Sequence, residues 1–431
     1  MRLTKYKDMS KIPEKFDVAV IGGGPSGMIA AIKAGERGAK VVLIEKNSIL
    51  GKKLLITGGG RCNITQAPLE ASSLTGQAEF NAKKFVEKLG KKGRFLFSSL
   101  SVFGPEEVID FFEKNGLKTK VERGGRIFPA SNKSQDVLNV LSRCLNKNKV
   151  KLLLNQKVVA FDVKEGRIEA VKLKEKEIIA KAFILATGGK AYPGTGSTGD
   201  GYEWAQKMGH KIIKPMPALV PIETKENWVR GLQGLTLKNV SVSIFQNNKK
   251  WDSKFGEMIF THFGLSGPII IDLSKRIGEL MATGPVCLKI DLKPALDVLT
   301  LDKRLQRDFK RNKNFKNYLP ELLPQRLGDL IIKFTGISPD KKINSISKEE
   351  RKKIINFLKC LELNVLRSTG FSQAIITSGG IDLKEIDSRT MRSKIIKNLF
   401  FAGEIIDLDG PTGGYNLQIC WSTGYAAGAN A

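Results

Sequence analysis

The stretch that decides the fold is FDVAVIGGGPSGMIAAIKAGERG, residues 16–38. A short apolar run, a turn of glycines, then small and apolar residues at helical spacing predict a strand, a tight turn and a helix. The run Lys40 to Ile44 (KVVLI) reads as a second buried strand closing with Glu45, so the whole forms one βαβ unit. Gly22, Gly24 and Gly27 occupy the glycine positions of GxGxxG. In that motif the first glycine permits the turn, the second lets backbone approach a pyrophosphate and the third lets helix and strand pack closely. Pro25 and Ser26 open the helix, whose free N–H groups suit the pyrophosphate of a dinucleotide. Glu45 stands 18 residues beyond Gly27, placed to accept hydrogen bonds from a ribose while its charge repels a 2′-phosphate.

That motif alone leaves NAD and FAD open. The far end of the chain favours FAD. The strand Asn398 to Ala402 (NLFFA) runs into Gly403 and Glu404, and GPTGGYNLQ precedes an apolar helical end. Two contact sets so distant in sequence suit a long cofactor clamped at both ends. Gly413 and Gly414, leading into a helix near Tyr415, Asn416, Leu417 and Gln418, would aim backbone N–H groups at the flavin edge where negative charge gathers on reduction. Between the two ends, Thr57 to Asn63 (TGGGRCN) sets three glycines in a row, which costs chain entropy and marks a close approach of backbone to something flat. Gly59, Gly60, Arg61, Cys62 and Asn63 are therefore candidate contacts. Cys62 lacks a resolving cysteine in sequence, so a small buried thiol is the commoner role for it than redox work. Thr187, Gly188 and Gly189 end a further strand, Ala182 to Ala186, and Lys46, Lys53 and Val158 complete the candidate set. A second GxGxxG look-alike at Gly194, Gly196 and Gly199 follows Pro193 and has no βαβ unit after it. It reads as a loop, with Tyr192 available to stack on a ring.

Composition narrows the function class. The 431 residues exceed one hydrophobic core and predict two or three domains. No apolar run approaches the roughly 18 residues of a membrane helix, and the opening lacks a signal-peptide stretch, so a cytoplasmic location without membrane contact is expected. Five scattered cysteines without a CxxC pair argue against a disulfide framework and a zinc site. Two histidines, His210 and His262, leave little for metal or histidine-based catalysis, so the hard chemistry falls to a cofactor and no metal is expected. Lys and Arg number 71 against 43 Asp and Glu, a net charge of +28. Most of that reads as a solvated face. The exception is 301–360, where 16 basic residues meet 7 acidic ones, and polyanion contact is expected there if anywhere.

Further strands are expected at Lys151 to Leu154, Val158 to Val163, Ile168 to Leu173 and Ala182 to Ala186, the middle ones as an antiparallel meander. From about Pro193 a proline-punctuated, β-rich texture begins. Within it FTHFGLSGP (260–268) places His262 in a glycine-lined turn before Pro268, a setting for a substrate-side hydrogen bond or proton donor. His210, following a helix end at Gly209, reads as structural. Ser347 and Glu350 form a capping box opening a helix with apolar Ile354, Ile355, Phe357 and Leu358.

Taken together, GGGPSG (22–27), KKLLITGGGRCNIT (52–65), LATGG (185–189), GEMIFTHFGLSGP (256–268) and FAGEIIDLDGPTGGYNLQ (401–418) resemble, in order and over nearly the whole chain, the bacterial FAD-dependent oxidoreductases grouped as aminoacetone oxidase or BaiN-like flavoproteins. The resemblance implies an α/β fold: a two-part Rossmann-like FAD domain (1–192 and 377–431), an inserted β-barrel-like substrate domain (193–300, returning at 361–376) and a nested helical subdomain (301–360). Amine oxidation and enone reduction are both ascribed to that family, so the resemblance implies an FAD-dependent oxidoreductase without fixing the reaction. The expected activity is hydride exchange between FAD and a small organic substrate, with His262, from its turn and the scarcity of other proton carriers, as the catalytic residue. NAD(P)H is a candidate electron donor without a domain of its own. The alternatives are a flavoprotein acting on or binding RNA through the basic insert, and a non-enzymatic flavin binder.

Overall fold

A computed structural model describes residues 14–66 and 81–431 of the chain. Its contacts divide into two compact units, Met1–Met216 with Ile375–Ala431, and Pro217–Ala374. The first is built on a seven-stranded sheet. Lys15–Ile21 lies between Val41–Ile44 and Glu177–Leu185, parallel to both, and Lys151–Leu153 extends the sheet beyond Val41–Ile44. These strands are near-continuous apolar runs, as expected where both faces are covered. Glu177–Leu185 forks. Its later half pairs in parallel with Leu399–Phe401, and its early half pairs antiparallel with Arg167–Leu173, which in turn pairs with Val158–Lys164. The fork serves the site, because it brings the last segment of the chain beside the first βαβ unit at the carboxyl ends of the strands.

Two helices pack on this sheet core. Pro25–Glu36 follows the glycine turn, and Tyr415–Asn430 ends the chain; both are rich in buried small residues, which lets their backbones approach closely. A Cβ on Gly428 would lie 2.2 Å from the carbonyl oxygen of Ala30, so only glycine fits that crossing.

The second unit is a closed barrel of six strands, Ile222–Thr224, Gly264–Ser266, Lys249–Phe260, Thr236–Gln246, Cys287–Asp291 and Leu361–Ser368. Alternation along these strands sends Val240, Val242 and Ile244 inward with Leu288, Ile290, Leu361 and Leu363. Between the last two strands the chain makes helices Val298–Asp308, Phe315–Tyr318, Gln325–Thr335 and Lys348–Lys359. The last opens with the expected capping box: Ser347 accepts from the Glu350 N–H at 3.1 Å, and Glu350 accepts from the Ser347 N–H at 2.8 Å. The sequence reading starts the inserted domain at 193. The contacts carry the first unit on to Met216, because helix Asp200–Lys207 seats Tyr202 and Ala205 in the first unit's core. Among the described residues, no helix is long and apolar enough to cross a membrane.

Candidate active site

A cavity of about 510 Å³ opens at the carboxyl end of Lys15–Ile21, walled entirely by the first unit. The three motif glycines do different work there. Gly22 has φ +108°, and a Cβ on it would sit 2.4 Å from the carbonyl oxygen of Ala186. A Cβ on Gly27 would lie 1.9 Å from the Gly22 carbonyl oxygen, so helix and strand touch there through backbone. Gly24 is the opposite case: a Cβ would meet nothing within 4 Å, on the cavity wall. Gly24 is also the N-cap of Pro25–Glu36, and no side chain caps that helix. Its first N–H groups thus face an open cradle where an anion would sit.

Glu45, nearly buried, holds this loop in place. Its Oε2 accepts from the Gly23 N–H at 2.7 Å, and its Oε1 accepts from Asn47 N at 2.8 Å and Asn47 Nδ2 at 2.7 Å. Asn47 Nδ2 also donates to the Thr195 carbonyl at 3.1 Å. Lys46 reaches the same segment through Asp200 at 2.9 Å and Thr198 at 2.6 Å. The glycine-rich stretch read as a loop therefore folds over this end of the cavity, with Tyr192 and residues 195–200 in its wall. Burial pushes the Asp200 carboxyl up, but its hydrogen bond and attraction to Lys46 hold it below its ordinary value overall.

Deeper in the cavity Glu404 joins separate segments. Its Oε2 accepts from Lys53 at 3.0 Å and its Oε1 from the Thr377 N–H at 2.8 Å. The Thr377 hydroxyl oxygen accepts from Lys190 N and Ala191 N, fastening the strand end after Gly189. Thr187 Oγ1 is buried on this wall and finds no partner among the described residues. At the other end Gly414, with φ +102°, opens Tyr415–Asn430 without a side-chain cap, and Asn416 and Leu417 line the cavity.

Of the residues singled out from sequence, Gly22, Gly24, Pro25, Ser26, Glu45, Lys46, Lys53, Gly59, Val158, Thr187, Gly188, Glu404, Asn416 and Leu417 stand in the cavity wall. Others support it from outside. Arg61 is turned to Glu122 and to Asn132, 3.0 Å from its Nε, with its guanidinium 4.1 Å from the centre of the Phe128 ring. Cys62 is fully buried, and burial pushes its thiol up to about 12, which keeps it protonated and unsuited to redox attack. Gly60 and Asn63 continue that turn, Gly189 and Gly403 are tight packing points, and Gly413, Gly414 and Tyr415 form the entry to the last helix. Gln418 is buried in a network with Thr65, Phe103 and Ser422. His262 lies in the second unit, exposed, in a turn closed by the Thr261 N–H donating to the Gly264 carbonyl at 2.8 Å. The sequence reading missed Asn47, Ile56, Ile375, Thr377 and Cys420. Asn47 adjoins Glu45 and could have been found there; Ile56 and Ile375 carry no signal beyond being apolar.

An uncapped helix N-terminus over open space, a carboxylate in the cavity wall at the end of the next strand, an unpaired buried hydroxyl and a second helix entry at the far wall fit an extended dinucleotide. Residues 16–430 match the model of the HI0933-like protein Rossmann domain. The chain belongs to the HI0933-like family. Its cofactor is FAD, and it is an FAD-dependent oxidoreductase. This HI0933-like chain is 30% identical over 428 residues to the 3-dehydro-bile acid delta(4,6)-reductase of Clostridium scindens, covering 96% of this chain and 98% of that one. It is 29% identical over 416 residues to the ribosomal RNA dihydrouridine synthase of Escherichia coli, covering 96% and 97%. The solved 3-ketosteroid delta1-dehydrogenase of Sterolibacterium denitrificans shares the fold, with a TM-score of 0.53 at 13% identity over 96% of this chain and 98% of that one.

Proposed function

We propose that this HI0933-like protein is a reductase that adds hydrogen across a carbon–carbon double bond conjugated to a carbonyl, in a small organic substrate, with NAD(P)H as the electron donor. The observation that supports this most is that two full-length relatives with unlike substrates bear names describing one bond change. A delta(4,6)-reductase acting on a 3-dehydro compound and a dihydrouridine synthase both saturate such a bond. FAD, when bound, supplies the hydride chemistry. The chain's own residues position it: Glu45 fixes the glycine loop, the Lys53–Glu404 pair spans the inner wall, and Ile56, Ile375 and Tyr192 give the cavity an apolar lining. His262 is the proton donor in this reading, because its turn is exposed and the chain has one other histidine, which is buried.

A second reading has the same chemistry acting on uracil in RNA, favoured by the charge of +28. The test is anaerobic. The flavin band should bleach with NADPH or NADH and return on adding a cyclic dienone in the first reading, or a uridine-containing RNA that then carries dihydrouridine in the second. Bleached flavin that neither substrate reoxidises would refute both.

A further inference from the structure

We propose that the surface formed by Lys83, Lys88, Lys91 and Arg94 is an RNA-docking face beside the flavin cavity; the choice of RNA among polyanions rests on the second reading above. Between residues 81 and 97 the chain carries six basic residues and one acidic one, all exposed. Lys92 pairs with Asp407 at 2.6 Å, whereas Lys83, Lys88, Lys91 and Arg94 form no ion pair among the described residues. Lys83, Glu87, Lys91 and Arg94 line one cleft with Phe97, which is 39% exposed. Cations set around an open aromatic ring suit phosphates with a stacked base.

The basic insert at 301–360 is richer in charge but commits half of it: eight of its 16 basic residues are held in ion pairs. Arg311 and Lys313 share Glu321, Lys316 pairs with Asp340, Lys341 with Glu350 and Arg351 with Asp302. A membrane surface fits the 81–97 face poorly. Along 82–96 the apolar side chains of Phe85, Val86, Leu89 and Leu96 are buried in the core, which leaves no broad apolar face to enter lipid among the described residues here. The face adjoins the cavity through two contacts. Phe85 packs on Tyr415, with ring centroids 4.8 Å apart, next to the cavity residues Asn416 and Leu417, and Lys92 holds Asp407 beside Leu408.

The experiment uses flavin-loaded protein and a labelled single-stranded RNA 20-mer, with binding read by anisotropy across KCl concentrations. The variant Lys83→Gln/Lys91→Gln/Arg94→Gln should lower the slope of log K against log salt by about 2 and weaken binding roughly a hundredfold near 0.1 M salt, from three lost phosphate contacts at about 0.7 each. A variant of the insert, Lys310→Gln/Lys352→Gln/Lys353→Gln, should change binding much less. Flavin content and melting are checked for each protein, and arginine at 83 and 91 should restore binding. Absence of RNA binding by the native protein, equal losses in both variants, or binding of phosphatidylserine vesicles in place of RNA would overturn the proposal. RNA retained but never reduced would refute the RNA-substrate reading and leave the docking face standing.

Discussion

Glu45→Ala separates two jobs of one carboxylate. The structure gives Glu45 the Gly23 and Asn47 backbone N–H groups and the Asn47 side chain as donors, all within 2.8 Å. Hydrogen bonds to a charged acceptor contribute about 1.5–3 kcal/mol each, and truncation strands donors in a nearly buried place. Asn47 can partly turn to Thr195 and to water, so the expected loss to the cofactor-free protein is about 3 kcal/mol. At roughly 2–4 °C per kcal/mol for a domain of this class, the melting temperature should fall by about 6–12 °C. If a lone pair of Glu45 also receives a ribose hydroxyl, FAD affinity, read by flavin fluorescence quenching on titrating apoprotein, should drop a further tenfold to hundredfold. Glu45→Gln keeps the shape and loses the charge, and should fall between. An Ala variant that melts like the native protein would refute the loop-pinning argument. Unchanged FAD affinity would move the ribose contact to another residue.

Gly24→Val should purify without flavin yet fold and melt like the native apoprotein, because its side chain points into open space; Gly27→Val should not fold, because its Cβ overlaps the Gly22 carbonyl. A yellow Gly24→Val protein would refute the pyrophosphate placement. His262→Gln should retain FAD and its bleaching by NAD(P)H but slow flavin reoxidation by substrate, by about 10²–10⁴ if the residue transfers a proton, and normal reoxidation would end that role. His210 is buried, with Nδ1 3.1 Å from Glu385 and Nε2 2.9 Å from Ser393, and burial, partly opposed by Glu385, holds its imidazole below the ordinary 6.5. The folded state therefore refuses a proton that the unfolded chain takes, so its stabilising share is complete above about pH 6.5 and is lost as pH falls below it. The melting temperature should drop between pH 6.5 and 5 more steeply in the native protein than in His210→Asn, and equal slopes would refute this.

The first βαβ unit is legible because its constraints are local. Gly27 is fixed by the Gly22 carbonyl inside one turn, and Glu45 reaches back only as far as Gly23, so spacing alone carries the information. The capping box at Ser347 is legible for the same reason. What spacing does not carry is the partner chosen across the fold. Arg61 follows three glycines in sequence, and nothing nearby in sequence says that Glu122 and Asn132 would draw its guanidinium onto Phe128. The same blindness affects charge. Residues 301–360 carry the larger cationic count along the chain, but half of those 16 lysines and arginines are held in ion pairs, as Arg311 and Lys313 are by Glu321. The shorter stretch 81–97 has a smaller count and a larger open share, because its single acid, Glu87, forms no ion pair among the described residues, and neither do Lys83, Lys88, Lys91 and Arg94. For this chain, then, the availability of a basic residue is decided by where the nearest carboxylate folds, and the total count over a long window is a poor guide to where a phosphate would bind.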